Sequence, residues 1–468
     1  MNRFSLLFLA AGLVSCAPLP PLVTDPPQEA QPAEEAATAT PQNDSSTATE
    51  TVAAKTAHSE VAEAESPDSL SKENFEPIAP ASNPEASRQN YPTWTLPAEA
   101  QRDFRVGIQV GVSKAEISGS HDTIELHGKG EKLSDQSGTI KISASGSKIA
   151  VNSEKADSVC ITPAENAHLS VDGREYRGKI LVINRSKKLT IINILPIEDY
   201  LKGVVPNEIG KLDSSMFEVL KVQAVAARTY AYRHYNSRSS LGFDVYATVQ
   251  DQVYNGCANE SALPSAAIDS TAGIVLTFEN ELIEAYYHST CGGATEGVET
   301  WGISPVSYLK SQIDKKNADS SWCIASSYSS WKKVYSEKEL VSLFQKNFKD
   351  ARANGKSGFS KIQQVQIRTT LPGGRIDTLE VLTDKGIFTV QGDKIRFLFK
   401  EGSKILPSSR FTIEKNGKAW VLDGSGFGHG IGMCQMGARA RAKAGQSFQE
   451  ILQAYYPGTS LQCVHSEQ

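Results

Sequence analysis

Short runs in which apolar and polar residues alternate fill the segment from residue 104 to residue 192. Residues 106–110 and 138–142 are such runs, residues 179–183 form a continuous apolar run that is also typical of strands, and Gly, Ser, Asn and Asp separate them. Alternation at a period of two, bounded by turn-forming residues, is typical of β-strands with one buried face. The pattern therefore predicts a β-rich lobe over residues 104–192.

A helical spacing replaces this alternation after residue 208. Apolar and aromatic residues recur there at intervals of three and four, at Phe217, Leu220, Ala224, Ala227, Ala231 and Tyr235. This spacing places them on one face of a helix. Ser215 and Glu218 have the sequence of a capping box, and Asp213 and Ser214 are further cap candidates. We therefore expect the helix to begin close to these residues.

The remainder of the chain mixes both patterns. Further helices are predicted at residues 264–271, at 337–349 and from a capping box at 447–450 onward. Two apolar runs, 274–278 and 282–287, flank a polar turn and predict a hairpin that ends at His288. We expect an α+β fold, in which the β-rich lobe precedes a mixed helix and strand region over residues 193–463.

The first sixteen residues have the pattern of an export signal. Arg3 precedes a short apolar run, and Leu13-Val14-Ser15-Cys16 resembles the processing site of a bacterial lipoprotein. We expect Cys16 to become the lipidated first residue of the mature protein, with the lipid as its membrane anchor. Ala17 stands where retention in the inner membrane would place Asp, so we expect the outer membrane, facing the periplasm, in a diderm cell. A plain secretory signal is the alternative.

Residues 17–95 have the composition of a disordered linker. Ala, Pro, Glu, Ser and Thr predominate, and a segment with so few large apolar residues cannot offset the entropy lost on ordering. Residues 17–92 contain 13 acidic and 3 basic side chains, whereas the whole chain has a net charge of −5. The part that follows is therefore weakly positive, far from the strongly basic character of nucleic-acid-binding proteins. We expect no nucleic-acid partner.

One carboxylate is distinguished by its apolar surroundings. Glu208 lies between Val204-Val205-Pro206 and Ile209-Gly210, and Pro206 predicts a loop at this position. Apolar neighbours remove water from a carboxylate and raise its pKa toward the range in which it donates a proton near neutral pH. Glu208 is therefore a candidate catalytic acid, and an ordinary surface glutamate is the alternative.

Two glycine-containing segments hold further candidate residues. His288-Ser289-Thr290-Cys291-Gly292-Gly293 follows the predicted hairpin, and residues 424–437 place His429 and Gln435 among glycines. Glycine lets the backbone approach a ligand closely. We expect this second segment to form a wall that grips a polar polymer, and a purely structural turn is the alternative.

The cysteines allow either a metal site or disulfides. His288 and Cys291 could share a zinc ion, but a tetrahedral zinc site needs four ligands. The residues that could complete the site are Cys257, Cys323, His429 and Cys434. In an exported protein a disulfide between two of these cysteines is favoured over zinc, and the spacing alone leaves the pairing open.

Together these segments resemble one family. The sequences VVPNEIG and QAVAARTYAY, then YYHSTCGG, then GFGHGIGMCQMGARARAKAG and the ILQAYYPGT tail are similar to the SpoIID/LytB family of bacterial cell-wall proteins. The resemblance spans residues 104–463 and implies one SpoIID-like domain there. Cys291 and Cys434 stand where serine is common in this family. They leave open whether these loops bind ligand, bind metal or are cross-linked.

The resemblance implies a peptidoglycan lytic transglycosylase, active in cell-wall remodelling or division, that cleaves the MurNAc–GlcNAc bond. The resemblance places the catalytic glutamate at Glu208. It implies an enzyme that needs no cofactor, with a structural zinc ion as an option. It also implies a preference for glycan stripped of its stem peptides. The residues expected to bind the glycan are His288, Ser289, His429 and Gln435, with Gln223 and Arg228 supporting the cleft from the helix. A structural ion pair is the alternative for Arg228.

A single acid suffices for this reaction because N-acetylmuramic acid supplies its own C6 hydroxyl as the nucleophile. Glu208 would protonate the leaving oxygen and then accept the hydroxyl proton, leaving a 1,6-anhydro end. The alternatives are a non-catalytic glycan-binding enhancer of a cell-wall amidase, as described for other family members, and a zinc peptidase or amidase. The latter would use His288, Cys291 and His429. A hydrolytic glycosidase would need a second carboxylate, such as Glu198 or Asp199.

Overall fold

The computed structural model of this protein describes residues 91–97, 100–127, 131–134, 138–152 and 154–465. The predicted signal peptide with Cys16 and most of the predicted linker lie outside these residues. Strand β1 (Thr93–Thr95) shows that the linker boundary at residue 95 was placed too late. Local composition missed this strand because its pairing partner lies at the other end of the chain, Cys463 to His465. Within the described ranges, no helix is long and apolar enough to span a membrane.

The predicted β-rich lobe is confirmed and consists of two sheets around one apolar core. Its strands are β2 (Phe104–Val112), β3 (Lys114–Ser118), β4 (His121–His127), β5 (Glu131–Ser134), β6 (Ile140–Ser145), β7 (Lys148–Val151), β8 (Glu154–Ala156), β9 (Ser158–Pro163), β10 (Leu169–Val171), β11 (Arg174–Tyr176), β12 (Lys179–Arg185) and β13 (Lys188–Leu195). With β14 (Val245–Tyr246), the larger sheet has the order β14-β2-β13-β12-β9-β4-β5, and the smaller one β11-β10-β3-β6-β7-β8. Ile117 and Ile140 from the smaller sheet and Val159 and Ile180 from the larger one are buried in the shared core.

Helix α1 (Ile197–Ile209) contains Glu208, so the predicted loop at this residue is wrong. Pro206 lies inside the helix, which costs about 3 kcal/mol. The side chain of Asn207 donates to the carbonyl oxygen of Gly203 at 2.7 Å. The helix buries one apolar face, formed by Tyr200, Leu201, Val204, Val205 and Ile209. Each buried side chain contributes about 1.5–3 kcal/mol, so packing outweighs the cost of the proline.

Helix α2 (Phe217–Arg233) confirms the predicted apolar face, because Leu220, Ala224, Ala227 and Ala231 are fully buried. The prediction that Ser215 and Glu218 cap this helix is wrong. Asp213 accepts a hydrogen bond from the backbone N–H of Ser215 and begins a short 3-10 turn instead. Asp213 competes successfully because its carboxylate is a stronger acceptor than the hydroxyl of Ser215.

The predicted helix and hairpin that follow are confirmed only in part. The elements are α3 (Ala262–Ser270), β15 (Ile274–Phe278), β16 (Glu281–Leu282) and β17 (Tyr287–His288). Glu279 and Asn280 have φ values of 51° and 64° and form the turn between β15 and β16. Strand β17 was predicted to end the hairpin, but it pairs with a different part of the chain.

Residues 331–424 surround a second apolar core. Its elements are β18 (Trp331–Ser336), α4 (Glu337–Asn347), β19 (Asn354–Gly355), β20 (Ile362–Thr370), β21 (Ile376–Thr383), β22 (Gly386–Gln391), α5 (Lys394–Leu398), β23 (Phe411–Asn416) and β24 (Ala419–Gly424). They form a three-stranded sheet, β18-β24-β23, and a four-stranded sheet, β19-β22-β21-β20. The mixed region predicted over residues 193–463 therefore contains an inserted module with its own core.

The chain then returns to the first core and completes the fold. Its last elements are β25 (Met433–Cys434), α6 (Gln435–Lys443), α7 (Phe448–Tyr455) and β26 (Ser460–His465). Strand β25 pairs in parallel with β17, so that His288 lies opposite Cys434, while β26 pairs with β1 and β15. The α+β fold class is confirmed. The β17–β25 pair brings the two glycine-containing segments side by side.

Candidate active site

Glu208 lies half-buried in the last turn of α1. Its Oε1 accepts a hydrogen bond from the backbone N–H of Val253 at 2.6 Å. Burial raises the pKa of this carboxyl from 4.5 to about 7, although the hydrogen bonds from Val253 and Tyr287 act in the opposite direction. A carboxyl with this pKa exchanges its proton near neutral pH, as a general acid and base must.

Tyr287 in β17 and Gln252, which directly precedes Val253 in the chain, support this carboxyl. The Gln252 amide donates to the Tyr287 hydroxyl at 3.0 Å, and the Tyr200 hydroxyl donates to the Gln252 oxygen at 3.1 Å. The Tyr287 hydroxyl thus accepts from Gln252 and keeps its own proton for Glu208. Burial and the charge of Glu208 raise the pKa of Tyr287 well above 10, so its phenol stays protonated. Sequence analysis missed both residues, although Tyr287 directly precedes His288.

Gln435 joins α6 to the end of α1. Its Nε2 donates to the backbone oxygen of Glu208 at 3.1 Å and lies 3.3 Å from the Oε1 of Gln223. The last turn of a helix leaves carbonyl oxygens without helical partners, and Gln435 supplies one. Gln223 is fully buried and Gln435 is 9% exposed. The structure brings both predicted residues to Glu208, where they position the helix end.

The two histidines of the predicted cleft lie beside each other, with ring centroids 5.6 Å apart. His429 donates from Nε2 to the Tyr287 oxygen at 3.0 Å and accepts at Nδ1 from the Ile431 N–H at 3.1 Å, which fixes a neutral ring. Burial lowers its pKa to about 4. His288 donates from Nδ1 to the Ile431 oxygen at 3.1 Å. Its Nε2 has no hydrogen-bond partner among the described residues, so one acceptor remains available there.

The remaining predicted binding residues differ in exposure. Ser289 is half-buried, with its hydroxyl 3.2 Å from that of Thr290. Arg228 is fully buried and forms two hydrogen bonds with the Glu198 carboxylate, at 2.7 and 2.8 Å. Because the Arg228 side chain is fully buried, it can support the predicted cleft only indirectly, through the helix and Glu198. The alternative for Arg228, a structural ion pair, is what the structure contains.

The other carboxylates near α1 are engaged by cations. Glu198 pairs with Arg228, and Asp199 lies 2.8 Å from the Lys202 ammonium. Both were candidates for the second carboxylate of a hydrolytic glycosidase. Glu208, by contrast, receives hydrogen bonds from one backbone N–H and one phenol. Glu208 therefore differs from Glu198 and Asp199 in its hydrogen-bond partners.

Partly exposed aromatic rings lie next to these residues. Trp301 is 36% exposed, and its ring centroid lies 5.0 Å from those of His429 and Tyr286. Phe427, in the glycine-rich segment, stacks on Tyr328 at 4.4 Å, and both are more than one-third exposed. Exposed aromatic surface is a common feature of binding sites. Sequence analysis missed these rings because only the fold brings Trp301 and Tyr328 next to the glycine-rich segment.

Three buried cysteines could hold a metal ion. The sulfur atoms of Cys291, Cys323 and Cys434 all lie within 4.8 Å of one another. His288 does not belong to this group, so the predicted zinc pair of His288 and Cys291 is replaced by three thiols. Cys257, another predicted candidate, is half-buried and lies outside the group.

Comparison with known proteins identifies the family. The model of the stage II sporulation protein family, SpoIID, matches residues 185–278, which include Glu208. Stage II sporulation protein D of Bacillus subtilis is 33% identical over 294 residues, covering 60% of this chain and 78% of that protein. The chain belongs to the SpoIID family.

Two other relatives extend this comparison. The amidase enhancer of Bacillus subtilis is 32% identical over 363 residues, covering 69% of this chain and 50% of that protein. An uncharacterized protein of Brachyspira hyodysenteriae is 32% identical over 294 residues, covering 62% of this SpoIID-family chain and 73% of that protein. Residues 323–432 match the model of a domain of unknown function, DUF8618. This match includes the whole inserted module.

Proposed function

We propose that this protein acts on the bacterial cell wall as a peptidoglycan lytic transglycosylase, with Glu208 as its acid and base. The observation that carries the proposal is the carboxyl of Glu208, whose pKa burial raises to about 7 with no cationic partner among the described residues. Membership of the SpoIID family supports a substrate in the cell wall. The substrate is the glycan strand, cleaved between MurNAc and GlcNAc.

The reaction proceeds with one carboxyl group. Protonated Glu208 gives its proton to the glycosidic oxygen as the bond to the anomeric carbon breaks. The C6 hydroxyl of the same MurNAc attacks that carbon, and the Glu208 carboxylate accepts the hydroxyl proton. No water enters the product, which has a 1,6-anhydro end, and Glu208 is again protonated. Because the nucleophile belongs to the sugar itself, its proximity assists the attack.

The neighbouring residues hold Glu208 in place during this cycle. The Tyr287 hydroxyl and the Val253 N–H stabilise the carboxylate that forms when the proton leaves. Gln435 fixes the backbone of Glu208 itself. Trp301 offers a partly exposed ring on which the apolar face of a sugar can stack. No cofactor takes part in these steps.

Product analysis by mass spectrometry tests the proposal. Purified glycan strands, both with and without stem peptides, are incubated with wild type and with Glu208→Gln. We expect 1,6-anhydro products from wild type alone, and more of them from the peptide-free strands. Reducing ends instead of anhydro ends would identify a hydrolase, and equal activity of Glu208→Gln would remove Glu208 from the mechanism.

A second candidate function is supported by the amidase-enhancer relative. In this case the protein binds glycan and stimulates a cell-wall amidase without cleaving the strand. Amidase assays with added wild type or Glu208→Gln separate the two functions. Equal stimulation by both proteins, with no anhydro products from either, supports the enhancer.

We also propose export and lipid anchoring at Cys16, at the outer membrane of a diderm cell. The apolar run before Cys16 and the acidic, proline-containing segment after it support this location. Metabolic labelling with a fatty acid tests it. Wild type should carry the label and Cys16→Ala should not.

A further inference from the structure

Three separate parts of the chain contribute the cysteine cluster. Cys291 follows β17, Cys323 lies in the connection before the inserted module, and Cys434 ends β25. All three are buried, and their sulfur atoms meet within 4.8 Å. We propose that Cys291, Cys323 and Cys434 bind one zinc ion as thiolates, and that Asp314, which contacts Cys291, moves closer to supply the fourth ligand.

The spacing of the ligand atoms fits a tetrahedral zinc site. A Zn–S bond of about 2.3 Å places two sulfur ligands about 3.8 Å apart. The sulfurs of Cys291 and Cys323 are 3.5 Å apart. The Oδ2 of Asp314 lies 3.3 Å from the sulfur of Cys291, close to the roughly 3.5 Å that a tetrahedral site with one oxygen ligand requires, but it does not lie within 4.8 Å of all three sulfurs. Admission of the ion therefore requires Asp314 to move closer to the cluster.

Backbone N–H groups point at two of the sulfurs. The N–H of Cys291 donates to the Cys434 sulfur at 3.2 Å, and that of Gly437 donates to the same sulfur at 3.3 Å. The N–H of Gly293 donates to the Cys291 sulfur at 3.3 Å. Cys434 is also the N-cap of α6, where the helix dipole favours a negative charge. Such donors are the usual surroundings of metal-bound ligands, which they orient and stabilise.

Two arginines supply positive charge next to the cluster. Arg441 donates to the Oδ1 of Asp314 at 3.0 Å, and Tyr455 donates to its Oδ2 at 2.9 Å. Arg375 is fully buried, and its guanidinium nitrogens have no hydrogen-bond partner within the described residues. A buried charge is costly unless opposite charges compensate it, and the carboxylate of Glu296 provides part of that compensation. Three thiolates and a Zn²⁺ ion carry a net negative charge, which would add to it.

A disulfide is the competing use of these cysteines. It requires an S–S distance of about 2.05 Å and joins only two residues. It would leave the third thiol buried and would not use the N–H donors, since a disulfide sulfur is a weak acceptor. Zinc engages all three sulfurs at once. Binding releases the thiol protons to solvent, so the affinity for zinc falls as the pH decreases.

The zinc site would hold together the β17 and β25 segments, which contribute residues to the candidate active site. His288 lies opposite Cys434 in the parallel β17–β25 pair. Gln435, which holds the backbone of Glu208, directly follows Cys434. Zinc would thus fix the position of Gln435, and its removal should loosen this contact. The metal site itself is independent of the proposed glycan cleavage.

Metal analysis of the full mature chain, purified without chelator, tests the site. We expect about one zinc ion per chain, and loss of this zinc in Cys291→Ser, Cys323→Ser and Cys434→Ser. Cys257→Ser is the matched control and should retain it. If a variant fails to fold, Co²⁺ exchanged into wild type should give the absorption band of thiolate-bound cobalt, and a chelator should remove it.

Two outcomes would overturn the inference. Metal-free protein with an intact Cys291–Cys323 disulfide, detected by peptide mapping, would show that the cluster is a redox pair. Zinc that persists in all three serine variants would show that the ion lies elsewhere. Both outcomes leave the test of Glu208 unaffected, because neither measurement depends on glycan cleavage.

Discussion

Two glutamates at opposite ends of helix α1 have different hydrogen-bond partners and different electrostatic surroundings. Glu198, in the first turn, receives two hydrogen bonds from Arg228 and one from the N–H of Gly273 at 3.1 Å. Glu208, in the last turn, receives one from the N–H of Val253 and one from the Tyr287 phenol. Glu198 forms an ion pair with Arg228, whereas burial raises the pKa of Glu208 to about 7.

The helix itself contributes to this contrast. Its dipole stabilises negative charge at the N-terminal end and disfavours it at the C-terminal end, by about 0.3–1 kcal/mol. A negative charge on Glu198 is therefore stabilised by the N-terminal end of the helix as well as by Arg228. A negative charge on Glu208 is destabilised by the C-terminal end of the helix and by burial. The same type of side chain is an ion-pair partner at one end and a carboxyl with a raised pKa at the other, because their surroundings differ.

Glu208→Gln should give the largest effect on activity. An amide cannot donate or accept the transferred proton, so we expect kcat to fall by about 10²–10⁴-fold. The hydrogen bond from Val253 is retained because Gln keeps an Oε1 acceptor. Release of anhydro products measures the change, and circular dichroism should show an unchanged fold. Full activity in the variant would contradict the proposed mechanism.

Glu198→Gln should instead reduce stability. It leaves the buried charge of Arg228 without an anionic partner, so we expect a loss of about 3 kcal/mol in the free energy of unfolding. Denaturant unfolding measures this loss. The double variant Glu198→Gln with Arg228→Met removes both charges and should recover most of it. If the single variant were as stable as wild type, the ion pair would not be structural.

Tyr287→Phe should shift the pH dependence of catalysis. In wild type, kcat/KM should fall as the pH rises through about 7, because Glu208 loses its proton there. Loss of the phenol hydrogen bond destabilises the carboxylate and raises its pKa. We expect the pH at which kcat/KM falls to be about 0.5–1 unit higher in the variant than in wild type. Tyr456→Phe, which removes a hydroxyl bonded to the Tyr286 oxygen, is the control and should leave this pH unchanged.

The smallest expected effect is on thermal stability. The folded-state pKa of Glu208 is above its ordinary value of 4.5, so stability decreases as the pH rises from about 4.5 to 7 and stays lower above that. Gln does not titrate. Glu208→Gln should therefore raise Tm more at pH 8 than at pH 5. The gain should nearly vanish at pH 5, and an equal gain at both values would exclude ionisation as its cause.

Local patterns predicted the elements whose stability comes from their own residues. Helix α2 and the β-rich lobe follow from apolar periodicity, and both were predicted within a few residues. The loop prediction at Glu208 failed because Pro206 is a strong local signal that the packing of α1 overrides. Strand β1 was missed for a similar reason, since it exists through pairing with β26.

The residues of the candidate site also fall into those that the sequence predicted and those that it did not. The apolar sequence around Glu208 made this residue a candidate with a raised pKa, and the family resemblance decided between it and an ordinary surface glutamate. The structure confirms that burial raises the pKa. Tyr287, Gln252 and the burial of Arg228 could not be predicted, since their roles depend on contacts between distant segments.

The sequence by itself determined the fold class, the family and the choice of Glu208, because periodicity and motif order are properties of the chain. Only the tertiary structure decided which residues surround that carboxyl. The β17–β25 pair joins residues more than a hundred positions apart, and with it come Gln435 and the cluster of Cys291, Cys323 and Cys434. The physical reason is that burial and ligand distances are set in space by packing, and spacing along the chain does not encode them.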